Sequence, residues 1–146
     1  MHNCRHTIIL FALTLLFFAR VVGQAVQRWL PQSFLPPFVA FQGGSQPYEL
    51  LLLTQVSILL LMLRVTWGIS RGKLVRRERT GHILAWVGGI YMTGSVARIL
   101  IGVTLPNADA WFKAGIPAFF HLVLAGFIIV LARYNLSVPN SEVRKT

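Results

Sequence analysis

Arg20, Gln24, Glu49, Gln55, Arg98 and His121 stand out in this 146-residue chain because each lies in or beside a run of aliphatic and aromatic residues. Two guanidiniums, a carboxylate, an imidazole and two amides on apolar walls would suit a ligand with anionic or carbonyl oxygens. Arginine offers paired N–H donors to a carboxylate or phosphate. A histidine and a glutamate can exchange a proton near neutral pH. The structural alternative is that Arg20 and Arg98 reach to a headgroup layer, Glu49 pairs with one of them, and His121 bonds a backbone carbonyl. Which reading holds depends on whether the chain brings these residues to one place, and that is set by the segments carrying them.

Those segments are long and apolar. Hydrophobic residues make up 55% of the chain and charged residues 12%, against about 25% charged in a soluble domain. Four apolar segments lie at about 7–23, 48–67, 81–103 and 116–133. At about 1.5 Å per residue each spans most or all of a ~30 Å hydrocarbon core. Backbone groups in lipid must pair within the segment, so the spans are helices, and the first can continue until Pro31 stops it. The expected fold is all-α: a single integral membrane domain over 1–146, built as a four-helix transmembrane bundle that runs up and down.

Arg71, Lys73, Arg76, Arg77 and Arg79 crowd the connection 68–80, whereas the first connection carries only Arg28 and the third only Lys113. Positive charge collects on the cytoplasmic side, so this loop is expected there together with both termini, beside Arg5, Arg133, Arg144 and Lys145. Nine of the 14 Lys and Arg residues occupy the loop or the chain ends. Topology thus accounts for much of the net charge of +10, and no nucleic-acid fold can be built from these spans. A rival reading takes Arg5, the stretch from Thr7 to Ala19 and the small residues Gly23 and Ala25 as a cleaved secretory signal, although Arg20 and Gln24 fit its cleavage region poorly. Cys4 is the only cysteine, which excludes a disulfide or thiolate cage within one chain.

The long outer connection 24–47 contains Trp29, Phe34, Phe38 and Phe41 among Pro31, Pro36, Pro37 and Pro47. Prolines at that density forbid a long helix, and the aromatics point to a segment lying along the membrane interface or capping the bundle, with Gly43, Gly44 and Ser45 as its turn. Depth follows from the topology. Arg98 falls about 8 Å below the outer boundary, and His121 about as deep on the next helix. Arg20 and Glu49 are expected at the same level, with Gln24 and Gln27 on the face of Arg20 and Gln55 about two turns into its helix. Gly88, Tyr91, Ser95, Arg98 and Gly102 form one stripe, and Pro117, His121, Ala125 and Ile128 another, with Gly126 also allowing close approach. The two stripes are placed to face each other.

His82 begins the third span at the opposite side, roughly 20 Å from the level of His121. His2 and His6 lie outside the core, so a haem held by paired histidines would need two chains sharing His121. Arg64 reads as a snorkelling residue, Gly68 and Gly72 as a GxxxG spaced past the end of a helix, and the basic loop as a topology signal rather than an anionic-lipid site.

The stretches LPPFVAFQGGSQPYELLLLTQ from Leu35 to Gln55 and PAFFHLVLAGFIIVLARY from Pro117 to Tyr134 resemble a group of small, functionally uncharacterised bacterial four-helix integral membrane proteins. In helix count and long first outer loop the chain is also similar to the DoxX-like proteins, some of which are linked to redox partners. The resemblance implies a bacterial inner membrane and carries no functional residues across. The sequence contains no Ser-His-Asp arrangement, metal-ligand cluster or phosphate loop. Two functions are expected from it: a non-catalytic subunit or assembly component that packs against other membrane proteins or itself, or a protein binding an anionic lipid or quinone-like molecule through Arg20, Gln24, Glu49, Gln55, Arg98 and His121. A haem-binding dimer is the remote third.

Overall fold

The computed structural model describes residues 2–42, 47–105, 107 and 110–137, without the side chains of 2–4, 110 and 111. The turn expected at Gly43, Gly44 and Ser45, the side chains of His2 and Cys4, and the terminal Arg144 and Lys145 lie outside the described residues. The elements are α1 (His2–Trp29), α2 (Phe38–Gln42), α3 (Tyr48–Ser70), α4 (Glu78–Thr104), α5 (Ala110–Lys113) and α6 (Gly115–Leu136). Four of them, α1, α3, α4 and α6, are long and apolar enough to cross a membrane. The protein is an all-α four-helix membrane bundle.

Polarity in this bundle is distributed as lipid requires. Leu53, Leu60, Trp86 and Val103 face outward with more than half their surface open, while Thr14, Arg20, Gln24, Gln55, Thr66, Ser95, Arg98 and Asn135 are buried. Hydrocarbon solvates the aliphatic exterior, so polar groups gain only by turning inward to find partners. Leu10, Phe17, Val21, Leu59, Met62, Ile69, Val123, Phe127 and Tyr134 form the apolar core between them.

The helices pack in the order α3, α1, α6, α4, with α4 against α6 as the most extensive interface. Among the described residues α3 and α4, although joined by the basic loop, form no comparable interface. On α3 the buried positions Gln55, Leu59, Met62, Thr66 and Ile69 alternate by four and three, a single seam facing α1. Thr14 and Thr66 meet across that seam with their hydroxyls 3.4 Å apart.

Several helix ends lie beyond the apolar runs. The helix α1 continues past residue 23 to Trp29, so Gln24 and Gln27 belong to the span and not to the loop. Its last turn is closed by the Leu30 N–H donating to Val26 O at 2.7 Å. The Gln27 side chain accepts the Gln32 N–H at 2.9 Å just beyond, where Pro31 forbids continuation. At the end of α3, Gly72 takes φ 64°, a left-handed turn open to glycine at little cost. The Gly72 N–H then bonds Ile69 O at 3.0 Å and the Lys73 N–H bonds Gly68 O at 2.9 Å, the paired closure of a Schellman turn.

Residues 71–77, the start of α1 and the end of α6 share what is here called the basic end. The opposite, distal end carries α2 and α5.

Candidate functional site

The site begins with the seam between α4 and α6. Gly81, Gly88, Ser95 and Gly102 recur every seven residues along α4 and bring its backbone close to its neighbours. A methyl group at Gly88 would lie 2.9 Å from Ile129 Cγ1 and 3.1 Å from Ile128 Cγ2. One at Gly81 would meet Leu136 at 2.8 Å, and one at Gly102 would collide with the Phe112 carbonyl. This register places Tyr91, Ser95 and Arg98 against the first turns of α6. The Tyr91 hydroxyl and His121 Nδ1 are hydrogen-bonded, with the rings edge-on at 5.7 Å and 82°. Arg98 is buried on the same face of α4 as Tyr91 and Ser95, about two turns beyond Tyr91.

The second half comes from α1 and α3. Arg20 is 8% exposed and its guanidinium lies 5.1 Å from the centre of the Phe120 ring on α6. Its Nη2 donates to Phe41 O on α2 at 3.3 Å. The Phe41 ring lies over Gly23, one turn along, at a distance that an added methyl would meet as ordinary contact. Phe120 directly precedes His121, so Arg20 meets α6 beside the histidine. One turn from Arg20 on the same face, Gln24 is fully buried and accepts a 3.0 Å hydrogen bond from Gln55 Nε2.

Arg20, Arg98 and His121 therefore come together, with the Gln24–Gln55 pair adjoining Arg20 through α1. Glu49 does not join them: it is exposed in the first turn of α3, where a carboxylate complements the helix N-terminus. Arg20 and Arg98 do not extend to the surface, and His121 bonds a phenol instead of a backbone carbonyl. His82 is exposed at the basic end of α4, where it bonds Glu78 O at 3.1 Å. Among the described residues no group of three His, Cys, Asp or Glu is placed to hold a metal ion. Nothing in the sequence marks Phe41, beyond its place among the aromatics of the outer connection, or Phe120 as partners of Arg20. Phe41 belongs to a five-residue helix within the proline-rich connection, too short to give a periodic signal. Phe120 reads as one more apolar residue of a span.

Among the described residues, three buried polar atoms in this layer find no hydrogen-bond partner: Arg20 Nε, Gln24 Nε2 and Gln55 Oε1. An unmet buried polar group costs about 1–3 kcal/mol, and a charged one more. Arg20 Nε and Gln24 Nε2 are donors on one face of α1, four residues apart, and Gln55 Oε1 is an acceptor beside them. These atoms are closed off from the surface, so an acceptor oxygen reaches the two N–H groups, and a donor reaches Gln55 Oε1, only when the side chains around them part. Comparison with family models, with curated proteins and with solved structures gives no match.

Proposed function

We propose that this membrane protein binds a lipid-soluble molecule through phosphate or carbonyl oxygens, within the polar layer made by Arg20, Gln24, Gln55, Arg98 and His121. The observation carrying this reading is Arg20. Among the described residues its buried guanidinium meets an aromatic ring and one carbonyl, and its Nε finds no partner. Burying a cation without a carboxylate partner is costly, and a ligand oxygen is the missing compensation. Anionic lipid and quinone share that oxygen chemistry. The Tyr91–His121 pair adds a group able to donate or accept a proton at the same level. In this proposal the basic loop and both termini are cytoplasmic in a bacterial inner membrane, which puts the site in the outer leaflet.

The test is to purify the protein in mild detergent and identify by mass spectrometry the lipids and quinones that remain bound. The wild type should hold at least one phosphate- or quinone-bearing molecule more per chain than Arg20→Met and His121→Ala hold, at unchanged helical content. Equal numbers of bound molecules on wild type and both variants would sink the reading.

A second reading is favoured by the outer face of α4. His82, Ala85, Trp86, Gly89, Ile90 and Thr93 line a groove of about 520 Å³ on it, consistent with a non-catalytic subunit that packs against another membrane protein. That reading takes precedence if the same substitutions leave the bound molecules in place and weaken association with a partner.

A further inference from the structure

At the basic end a different arrangement of charge points to a second ligand. There α1 and α6 enclose a groove of about 570 Å³ with Arg5, His6 and Arg133 around it and Ile9, Val130 and Leu136 as its apolar lining. Arg5 and Arg133 are exposed. A third guanidinium is held nearby: Arg76 lies 4.4 Å from the Tyr134 ring centre and donates to the carbonyl of Ser137, another lining residue, at 3.0 Å. The His6 ring packs edge-on to the same tyrosine at 6.3 Å. The basic loop is itself fastened to α6, with the Arg77 N–H donating to Asn135 Oδ1 at 3.1 Å. Among the described residues, no acidic side chain lines the groove.

We infer that this groove binds an anionic phospholipid, its phosphate between Arg5 and Arg133 and the start of its acyl chains on Ile9, Val130 and Leu136. Charge selects an anion, and a basic recess between membrane helices suits a lipid headgroup. The apolar lining selects a lipid over a soluble phosphate, because a free anion leaves Ile9 and Leu136 uncovered. The site shares no residue with the distal layer, so the two proposals stand or fall separately.

The full chain is reconstituted in phosphatidylcholine vesicles containing a minor fraction of phosphatidylglycerol, extracted in mild detergent and weighed by native mass spectrometry. Phosphatidylglycerol should be retained in preference to phosphatidylcholine. Arg5→Gln with Arg133→Gln should reduce that retention roughly thirtyfold, each basic residue near an anionic surface contributing about fivefold. Ile9→Trp, which fills the groove with the charges intact, should also lose the lipid, and Arg20→Met should keep it. Equal retention of both lipids, or undiminished retention by the double arginine variant, overturns the inference. Displacement of the lipid by soluble glycerol phosphate at matching affinity overturns it too, since the apolar lining would then contribute nothing.

Discussion

Arg20 lies 5.1 Å from the ring centre of Phe120, and Arg71 lies 4.5 Å from that of Trp67, so the two ends of the protein hold the same pairing of guanidinium and aromatic ring. Their surroundings differ. Trp67 is 61% exposed and Arg71 is exposed with it, at the end of α3 where headgroups and water can solvate the charge. Arg20 is 8% exposed and has an unmet Nε. A ring face can offset part of the desolvation of a buried cation but cannot replace a hydrogen-bond acceptor. What separates a topological arginine from a candidate binding arginine is therefore the state of its remaining donors, and neither charge count nor ring contact reveals it.

Arg20→Met tests this contrast most severely. Replacing a buried, incompletely compensated ion by an apolar side chain of similar length should raise the stability of ligand-stripped protein by about 1–4 kcal/mol. The same variant should lose the part of the ligand stabilisation that comes from the distal layer, and so gain less from added lipid extract than the wild type. Thermal unfolding in detergent, with and without added lipid extract, measures both. A fall in stability of the stripped protein would mean that Arg20 is already compensated, and the contrast with Arg71 would fail.

The ends also differ in how the α4 seam is closed, which gives the next largest effect. At Gly102 an added methyl meets the Phe112 carbonyl, whose carbon lies 2.8 Å away, so the backbone of α5 must move. At Gly81 the nearest atoms belong to the side chain of Leu136, at 2.8 Å. That side chain ends α6 at 37% exposure and can rotate away. Gly102→Ala should cost about 3 kcal/mol and Gly81→Ala about 1 kcal/mol or less, with chemical or thermal unfolding of each as the measure. Equal costs would show the distal seam to be as yielding as the basic one.

Smaller again is the amide pair. Gln24→Leu leaves Gln55 buried without its acceptor and should cost about 2 kcal/mol. Gln24→Leu with Gln55→Leu removes both unmet atoms and should restore most of that loss. A double variant as unstable as the sum of the two single ones would mean that the amides act independently of each other.

The residues also show how much of this was legible in the chain. The four spans follow from apolar runs that outlast a membrane, and the α4–α6 pairing from Gly88, Ser95 and Gly102 facing the stripe of His121. The convergence of Arg20, Arg98 and His121 follows from their depth along those helices. Glu49 shared that depth and still lies outside, because depth fixes only one coordinate and its direction around α3 turns it away from the seam of Gln55 and Leu59. Phe41 was out of reach because its position depends on how α2 folds back over Arg20, a tertiary contact with no periodic trace. The order α3, α1, α6, α4 was likewise unreadable, since each span shows a polar face without naming the helix opposite it.

Arg71→Gln gives the smallest expected effect and sets the scale for the others. Its ring contact with Trp67 is exposed, and such contacts contribute about 0.5 kcal/mol. The α3 end would keep its two backbone bonds around Gly72, which do not involve the Arg71 side chain. Stability should therefore change by about 0.5 kcal/mol or less, read by unfolding in the same detergent as the Arg20 variants, and that small difference should shrink further in high salt. If Arg71→Gln proved as consequential as Arg20→Met, burial would not be what distinguishes the two arginines, and the reason for seeking a ligand at the distal layer would go with it.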